Sequence, residues 1–268
     1  MTLNNTPIFI LAGGLGTRMG SDTHAQPKPM VTIGDKPVLW HIMRKYRMHG
    51  FHRFVVCAGY KAHVIKDYFL NYAALNSDFT VDLSSGSWEV HRQHHTEDWK
   101  VTVAYTGDDT QGGGRISRAT SRHLLLEDEH FGVTYGDGLT DADLGAEYKF
   151  HLRKNKIGTV LGVNFPSRFG EFVFDTPEDD ITTDFTEKPN LDNNWINGGF
   201  FFFKREFLDL LNPEPDTILE REPLRAIATS GQLSVYKHKG FWQCMDTQRE
   251  RDILEKMWKD GVAPWSNR

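Results

Sequence analysis

Residues 8–18 read Ile-Phe-Ile-Leu-Ala-Gly-Gly-Leu-Gly-Thr-Arg and carry the signal that decides the fold. The first five residues are continuously apolar, which is typical of a strand buried on both faces of a parallel sheet. The glycine-rich segment that follows predicts a loop at the carboxyl edge of that sheet, where open α/β folds bind their ligands. Because glycines let several backbone N–H groups approach one anion, residues 13–16 predict a phosphate-binding loop.

Strand-like and helix-like segments alternate after this loop. Apolar residues at helical spacing predict helices over residues 37–49, 62–75, 116–126 and 144–154, and buried strands are predicted over 54–58, 101–105, 131–135 and 159–163. Such alternation favours parallel βαβ units. We therefore expect an α/β fold with an open, mostly parallel, Rossmann-like sheet flanked by helices.

The second half of the chain is expected to be richer in strands, and its last helix to begin near Thr247. Candidate strands lie at 171–174, 181–185, 199–203 and 233–236. Thr247 and Glu250 have the spacing of a capping box. Residues 76–100 interrupt the alternation and predict a hairpin or an extended loop, and a metal site at His91, His94 and His95 is disfavoured there.

Composition excludes some classes of function. The 268 residues carry a net charge of −5, so no global positive field would hold nucleic acid. No apolar run reaches the length of a membrane span, and the first residues lack a signal-peptide pattern. Cys57 and Cys244 lie in apolar, strand-like settings, which favours free core thiols in a reducing compartment. We expect a cytoplasmic protein.

Two cations follow the glycine loop, Arg18 and Lys28, and Lys28 stands between Pro27 and Pro29. Prolines on both sides restrict the backbone around the lysine, so its charge can be held at low entropic cost. A Walker P-loop is excluded because Arg18 follows Gly-Thr where that motif needs lysine and a hydroxyl residue. A dinucleotide fingerprint is excluded by Met19, where it needs glycine or alanine.

The glycine loop and the Pro-Lys-Pro-Met motif at 27–30 resemble the signature of sugar-1-phosphate nucleotidyltransferases. Further motifs of that family follow in order along the chain, which makes the resemblance specific. They lie at 36–43, 57–61, 113–115, 134–138, 168–170, 187–189, 196–201, 240–243, 245–247 and 263–265. The resemblance implies a single domain, with a nucleotide-binding part over about residues 1–140 and a sugar-binding part over about 141–268.

The resemblance also implies a set of site residues. Lys28, Arg18 and Asp137 are the expected catalytic residues. Nucleotide binding is assigned to Leu11, Gly13, Gly14, Gly16, Thr17, Arg18, Lys28, Gly113, Arg115 and Thr134, and sugar phosphate binding to Gly170, Glu187, Lys188, Asn197 and Gly198. Arg115 could instead be an exposed arginine at a helix start, and Glu187 with Lys188 a solvated surface pair.

Two aspartates are the expected ligands of Mg²⁺, the implied cofactor. Asp137 follows the predicted strand 131–135, and Asp246 precedes the last helix. Two carboxylates can hold Mg²⁺ together with phosphate oxygens and water. From the residues alone, a turn aspartate and a helix-start aspartate remain open alternatives. The resemblance favours the metal-binding interpretation for both.

The implied reaction joins a nucleoside triphosphate to a sugar 1-phosphate and releases pyrophosphate. The resemblance favours CTP and glucose 1-phosphate as substrates of a homo-oligomeric enzyme, with UTP or dTTP or another sugar as alternatives. A dehydrogenase and a non-catalytic nucleotide-binding module are more remote alternatives. Glu171 and Phe172 depart from the family pattern beside the expected sugar pocket, so the sugar is less firmly predicted than the reaction.

Overall fold

A computed structural model describes residues 5–16, 26–91, 97–123, 128–164, 171–173, 176, 180–186 and 195–266. Its strands are β1 Ile8–Ala12, β2 Thr32–Ile33, β3 Lys36–Pro37, β4 Arg53–Ala58, β5 Asp78–Asp82, β6 Ser87–His91, β7 Lys100–Tyr105, β8 His130–Tyr135, β9 Gly138–Thr140, β10 Gly158–Asn164, β11 Glu171–Val173, β12 Asp184–Thr186, β13 Trp195–Lys204, β14 Leu233–His238 and β15 Trp242–Cys244. Its α-helices are α1 Val38–Met48, α2 Ala62–Leu70, α3 Tyr72–Leu75, α4 Gly112–His123, α5 Leu144–Lys154, α6 Glu222–Thr229 and α7 Gln248–Lys259. Within the described residues, 3₁₀ helices span Lys28–Met30, Arg205–Leu210 and Pro264–Ser266.

Seven strands form the main sheet in the order β14-β10-β13-β8-β1-β4-β7. Neighbouring strands are parallel except where β13 pairs with β8 and β10. The predicted fold class, an open and mostly parallel sheet in an α/β chain, is therefore confirmed. Strands from both halves of the sequence share this sheet, and the proposed division into nucleotide and sugar parts remains a prediction.

Apolar side chains cover both faces of the sheet, as the continuous apolar run of β1 predicts. Ile8 and Ile10 belong to one buried cluster, and Phe9 between them belongs to the other. Residues 200–203, four successive phenylalanines in β13, alternate between the same two clusters. A strand with apolar residues on both faces can lie only in the middle of a sheet that is covered on both sides.

Two predicted helices differ from the structure by more than one residue at an end. The segment 62–75 contains two helices, α2 and α3, because the helix is interrupted at Asn71. The side-chain amide of Asn71 donates to the carbonyl of Asp67. Such a bond competes with the backbone ladder. Helix α4 begins at Gly112, earlier than the predicted residue 116, since its glycines pack closely on the chain at Glu214 and Thr217.

Residues 78–91 form a hairpin of β5 and β6, which confirms one of the two expectations for this region. The alternating sequence gives it a polar face and an apolar face, with Phe79, Val81 and Trp88 on the apolar one. His94 and His95 lie outside the described residues. Within the described residues, no helix is both long and apolar enough to span a membrane.

Candidate active site

A cleft of about 780 Å³ opens at the carboxyl ends of β1 and β8, where the sequence places the glycine loop. Its lining includes residues 13–16, Lys28, Asp137 and Asp246. It also includes Asn197, Gly198 and Glu220. The structure thus brings the predicted phosphate-binding loop, lysine and both aspartates into one cavity.

Lys28 lies between the two aspartates. Its Nζ donates to Asp137 Oδ2 and to Asp246 Oδ1, each at 2.5 Å. Burial alone would lower the pKa of Lys28, but the two carboxylates outweigh burial, and the pKa is raised above its usual value. The ammonium therefore carries its charge throughout the neutral pH range. Pro27 precedes the 3₁₀ helix that starts at Lys28, which fixes the backbone from which the side chain projects.

Pairing of β9 with β15 brings the two aspartates together from distant parts of the sequence. Gly138 lies opposite Cys244 in this antiparallel ladder, and the N–H of Met245 donates to the carbonyl of Asp137 at 2.9 Å. Each aspartate is next to the ladder, so the register of a two-stranded sheet sets the distance between their carboxylates.

A capping box then fixes the backbone at Asp246. The Thr247 hydroxyl accepts from the N–H of Glu250, and Glu250 Oε2 accepts from the N–H groups of Asp246 and Thr247. These bonds satisfy N–H groups at the start of α7 that have no partner within the helix. The predicted capping box is therefore confirmed.

The donor set of Asp137 and Asp246 fits a divalent cation. Their carboxylates approach one cationic group from two sides, and carboxylate oxygens are the ligands that hard cations such as Mg²⁺ prefer. Cys244, Asp246 and Glu250 form a second acidic group, with ligand atoms within 4.8 Å of one another. That group fits poorly, because burial raises the pKa of the Cys244 thiol to about 12 and Glu250 already caps α7.

Cys244 corrects an expectation about the thiols. Both cysteines are free, as predicted, and Cys57 is fully buried in β4. Cys244 is only partly buried, lines the cleft and donates weakly to Asp246 at 3.7 Å. The apolar neighbours of residue 244 in the sequence hid the fact that its own side chain faces the cleft.

Arg115 is hydrogen-bonded to the glycine loop. Its side chain is 4% exposed, so it is not an exposed arginine at a helix start. Nη1 donates to Thr106 Oγ1 and the carbonyl of Gly107, and Nη2 donates to the carbonyls of Gly13 and Asp108. The N–H groups at both terminal nitrogens are thus used in joining the glycine loop to the loop after β7. The geometry supports positioning of the loop. Arg115 also lines the cleft, and its assignment to nucleotide binding remains a prediction.

Gly113 is not among the residues that line the cleft, and its assignment to nucleotide binding remains a prediction. A Cβ at this position would lie 2.8 Å from Thr217 Cγ2, so the glycine serves close packing of α4 against the chain, away from the cleft. Gly112 lines the cleft in its place. Leu11 and Thr134 are the penultimate residues of β1 and β8 and line the cleft, and Thr134 is completely buried.

Asn197 and Gly198 line the cleft, and their assignment to sugar binding remains a prediction. The indole N–H of Trp242 donates to the carbonyl of Gly198 at 2.7 Å and fixes this wall. Five predicted site residues lie outside the described part of the chain: Thr17, Arg18, Gly170, Glu187 and Lys188. Their assignments remain predictions.

Tyr135 and Glu220 line the cleft and were not predicted. The Tyr135 hydroxyl donates to Glu220 Oε1 in a short hydrogen bond. Tyr135 could have been found, because it lies within the same Tyr-Gly-Asp motif as Asp137. Glu220 has no comparable signal, because it lies in an irregular segment that reaches the cleft only through the tertiary fold.

The family model described as nucleotidyl transferase matches residues 8–260. Glucose-1-phosphate cytidylyltransferases of Salmonella typhi and Salmonella typhimurium are each 44% identical over 256 residues, which cover 96% of this chain and 97% of theirs. A solved UDP-glucose pyrophosphorylase in complex with UDP-glucose shares the fold, with a TM-score of 0.67 at 18% identity over 96% of this chain and 99% of its own. The cleft with its glycine loop, lysine and paired aspartates thus belongs to a member of the nucleotidyl transferase family.

Proposed function

We propose that the protein transfers a cytidylyl group from CTP to α-D-glucose 1-phosphate and releases pyrophosphate, giving CDP-glucose. The observation that carries the proposal is the charged Lys28 held between Asp137 and Asp246 at the edge of a phosphate-binding loop. The choice of substrates is supported by the Salmonella enzymes, whose names specify them and whose similarity extends over nearly the whole chain.

In this reaction an oxygen of the sugar 1-phosphate attacks the α-phosphorus of CTP. A new P–O bond forms, the bond to the bridging oxygen of the β-phosphate breaks, and pyrophosphate leaves with the bonding electron pair. The attacking phosphate is already ionised at neutral pH, so no general base is required. Most of the acceleration must then come from positioning and from neutralisation of charge.

Each side chain has a defined part in this mechanism. Lys28 keeps a positive charge beside the reacting phosphates, and N–H groups of residues 13–16 bind phosphate oxygens. Asp137 and Asp246 would hold a divalent cation, Mg²⁺ in this proposal, which supplies further positive charge to the phosphates. Arg18 and Lys188 are assigned to the triphosphate and to the attacking phosphate, respectively.

We also propose that the enzyme works in the cytoplasm as a homo-oligomer. The two free thiols support a reducing compartment. The exposed apolar face of the β5–β6 hairpin, with Phe79 52% and Trp88 62% exposed, supports association with another subunit.

The test is pyrophosphate release with each of CTP, UTP, dTTP and GTP at a fixed concentration of glucose 1-phosphate. A site built for the cytosine edge leaves polar groups unpaired when uracil binds, at roughly 1–3 kcal/mol for each group. We expect kcat/KM for CTP to exceed that for UTP by about tenfold to a hundredfold. Equal values for the two nucleotides would refute the choice of CTP. Rejection of glucose 1-phosphate with another sugar 1-phosphate accepted would refute the choice of sugar.

A further inference from the structure

A series of hydrogen bonds among residues that line the cleft ends on Glu220. The N–H of Gly199 donates to Asn197 Oδ1 at 2.8 Å, and Asn197 Nδ2 donates to the Tyr135 hydroxyl oxygen at 3.1 Å. The Tyr135 hydroxyl in turn donates to Glu220 Oε1. Asn197 accepts through Oδ1 and donates through Nδ2, and the Tyr135 hydroxyl accepts from Asn197 and donates to Glu220, so the arrangement has a single direction.

Packing holds Tyr135 at the centre of this series. Gly199 has φ +78°, and a Cβ there would lie 2.3 Å from Tyr135 Cδ2, so only glycine lets the ring approach this closely. The ring also meets Phe201 edge-on, with centroids 5.8 Å apart. Burial, with Glu220 as a second cause, raises the pKa of Tyr135 far above its usual range. The hydroxyl therefore stays protonated and keeps donating to Glu220.

Glu220 is held at the cleft wall from its own side as well. Leu219 next to it is completely buried, and the carbonyl of Leu219 accepts from the N–H of Leu224 at 3.2 Å. One carboxylate oxygen of Glu220 accepts from Tyr135, while the residue as a whole is exposed to the cleft. Within the described parts of the chain, no lysine or arginine forms an ion pair with Glu220.

Glu220, a carboxylate that forms no ion pair among the described residues, is a poor neighbour for phosphates, which Lys28 and the glycine loop are suited to bind. A carboxylate is, however, a strong acceptor for hydroxyl groups, because charge-assisted hydrogen bonds are about twice as strong as neutral ones. Asp137 and Asp246 differ from Glu220 because they share Lys28. The charge pattern therefore distinguishes Lys28 and the glycine loop, which suit phosphates, from Glu220, which suits hydroxyl groups.

We propose that Glu220 is a specificity-determining residue that accepts hydrogen bonds from hydroxyl groups of a bound ligand, with Tyr135 as its positioning residue. Both substrates of the proposed function, on which this inference rests, carry such groups: the hexose of the sugar phosphate and the ribose of the nucleotide. The shared chemistry is a hydroxyl next to a fixed carboxylate, and the two sources can be separated by experiment.

The test combines a change in the protein with a change in the ligand. Values of kcat/KM are measured for the parent enzyme and Glu220→Gln with glucose 1-phosphate, with its 2-, 3-, 4- and 6-deoxy analogues, and with 2′- and 3′-deoxy CTP. For the parent, loss of the hydroxyl that Glu220 binds should lower kcat/KM by about tenfold to a hundredfold. For Glu220→Gln, the same loss should cost less than threefold, because most of the interaction is already gone.

In Tyr135→Phe, the loss of kcat/KM caused by that same deoxy analogue should become smaller, while the losses caused by the other analogues should not change. A merely structural role of Tyr135 would not give this pattern. The matched control is Glu222→Gln, because Glu222 is an exposed acid two residues away that does not line the cleft. This variant should keep the parent's full dependence on every hydroxyl. Unfolding midpoints of all variants establish that they remain folded.

Coupling with a deoxyhexose assigns Glu220 to the sugar, and coupling with a deoxy nucleotide assigns it to the ribose. Strict additivity of Glu220→Gln with every analogue would overturn the proposal. The parent's own rates report separately on the proposed function. If the parent prefers another nucleotide or sugar phosphate, the same series is run with deoxy analogues of those substrates, and the coupling still decides the role of Glu220.

Discussion

At the scale of single residues, Lys28 is the group on which the charge balance of the site depends. Its side chain is 12% exposed and holds two carboxylates that would otherwise repel each other. We expect Lys28→Ala to lower kcat by about 10²–10³, the usual cost of removing a group aimed at charge in the transition state. The measurement is pyrophosphate release at saturating substrates, with circular dichroism to establish that the variant is folded.

Lys36→Ala is the control for this variant. Lys36 lies eight residues after Lys28 in the sequence but does not line the cleft, and its Nζ donates to Asn76 Oδ1 at 2.7 Å. It should leave kcat within about twofold of the parent, because its charge faces none of the reacting groups. Near-parent turnover in Lys28→Ala would remove Lys28 from the mechanism.

Arg115 makes a second prediction at this scale, one of stability. Arg115→Ala removes a donor from the carbonyls of Gly13, Gly107 and Asp108, of which Gly13 keeps the N–H of Tyr60. Each carbonyl left buried without a donor costs about 1–3 kcal/mol. We expect the free energy of unfolding to fall by on the order of 3 kcal/mol, measured by urea denaturation. Arg225→Ala, at an exposed arginine on α6, should change it by less than about 0.5 kcal/mol. Equal stability of the two variants would contradict the role of Arg115 in joining the glycine loop to the loop after β7.

The sequence predicted which residues carry charge at the site better than it predicted how they are supported. Lys28, Asp137 and Asp246 were recognisable because each lies in a short motif with chemically specific neighbours. The partners of Arg115 could not be predicted, since backbone carbonyls carry no residue identity. Glu220 was missed for the same kind of reason, because a lone acid in an irregular segment is usually a surface residue.

At the scale of elements, we expect the first turn of α7 to affect catalysis as well as stability. Thr247 caps the helix, and the same box holds the backbone of Asp246. Thr247→Ala should lower the free energy of unfolding by about 1 kcal/mol, the usual cost of losing such a cap. It should also raise the concentration of Mg²⁺ needed for half-maximal activity, because Asp246 loses part of its support.

Thr229→Ala is the matched change at the other end of a helix. The Thr229 hydroxyl only donates back to carbonyls of its own helix, at Arg225 and Ala226. Its removal should leave the Mg²⁺ titration unchanged. An unchanged titration in Thr247→Ala as well would mean that α7 contributes stability alone.

Prediction of elements succeeded where periodicity was unbroken. Helix α5 has the predicted bounds, and α1 differs by one residue at each end. The break at Asn71 was missed because the apolar spacing continues across it. The early start of α4 was missed because glycines usually disfavour a helix, and here tight packing against another segment outweighs that preference.

At the scale of the whole molecule, a buried histidine links stability to pH. His151 is completely buried and contacts Thr159 Oγ1 and the His130 ring. Burial first, with His130 and Lys204 adding to it, lowers its pKa from the usual 6.5 to about 3. The folded state therefore favours the neutral ring, and its contribution to stability is complete above pH 6.5 and is lost as the pH falls toward 3.

Between pH 7 and pH 5 this group should reduce the free energy of unfolding by about 2 kcal/mol. His151→Gln should be less stable at pH 7 but should lose less stability on going to pH 5, because the titrating group is gone. His63→Gln, at an exposed position on α2, should keep the parent's pH dependence. Urea denaturation at the two pH values measures both, and parallel pH profiles for the parent and His151→Gln would contradict the assignment.

Pairing of β9 with β15 also determines when a newly made chain can work. The glycine loop, Lys28 and Asp137 leave the ribosome first, at about 5–20 residues per second, whereas Asp246 follows only after most of the second half. Until β15 has been translated, Lys28 has a single carboxylate partner and the ladder that sets the register does not exist. A nascent chain can therefore complete the glycine loop well before Lys28 has both of its carboxylate partners, so we expect an unfinished chain to be inactive in the proposed transfer.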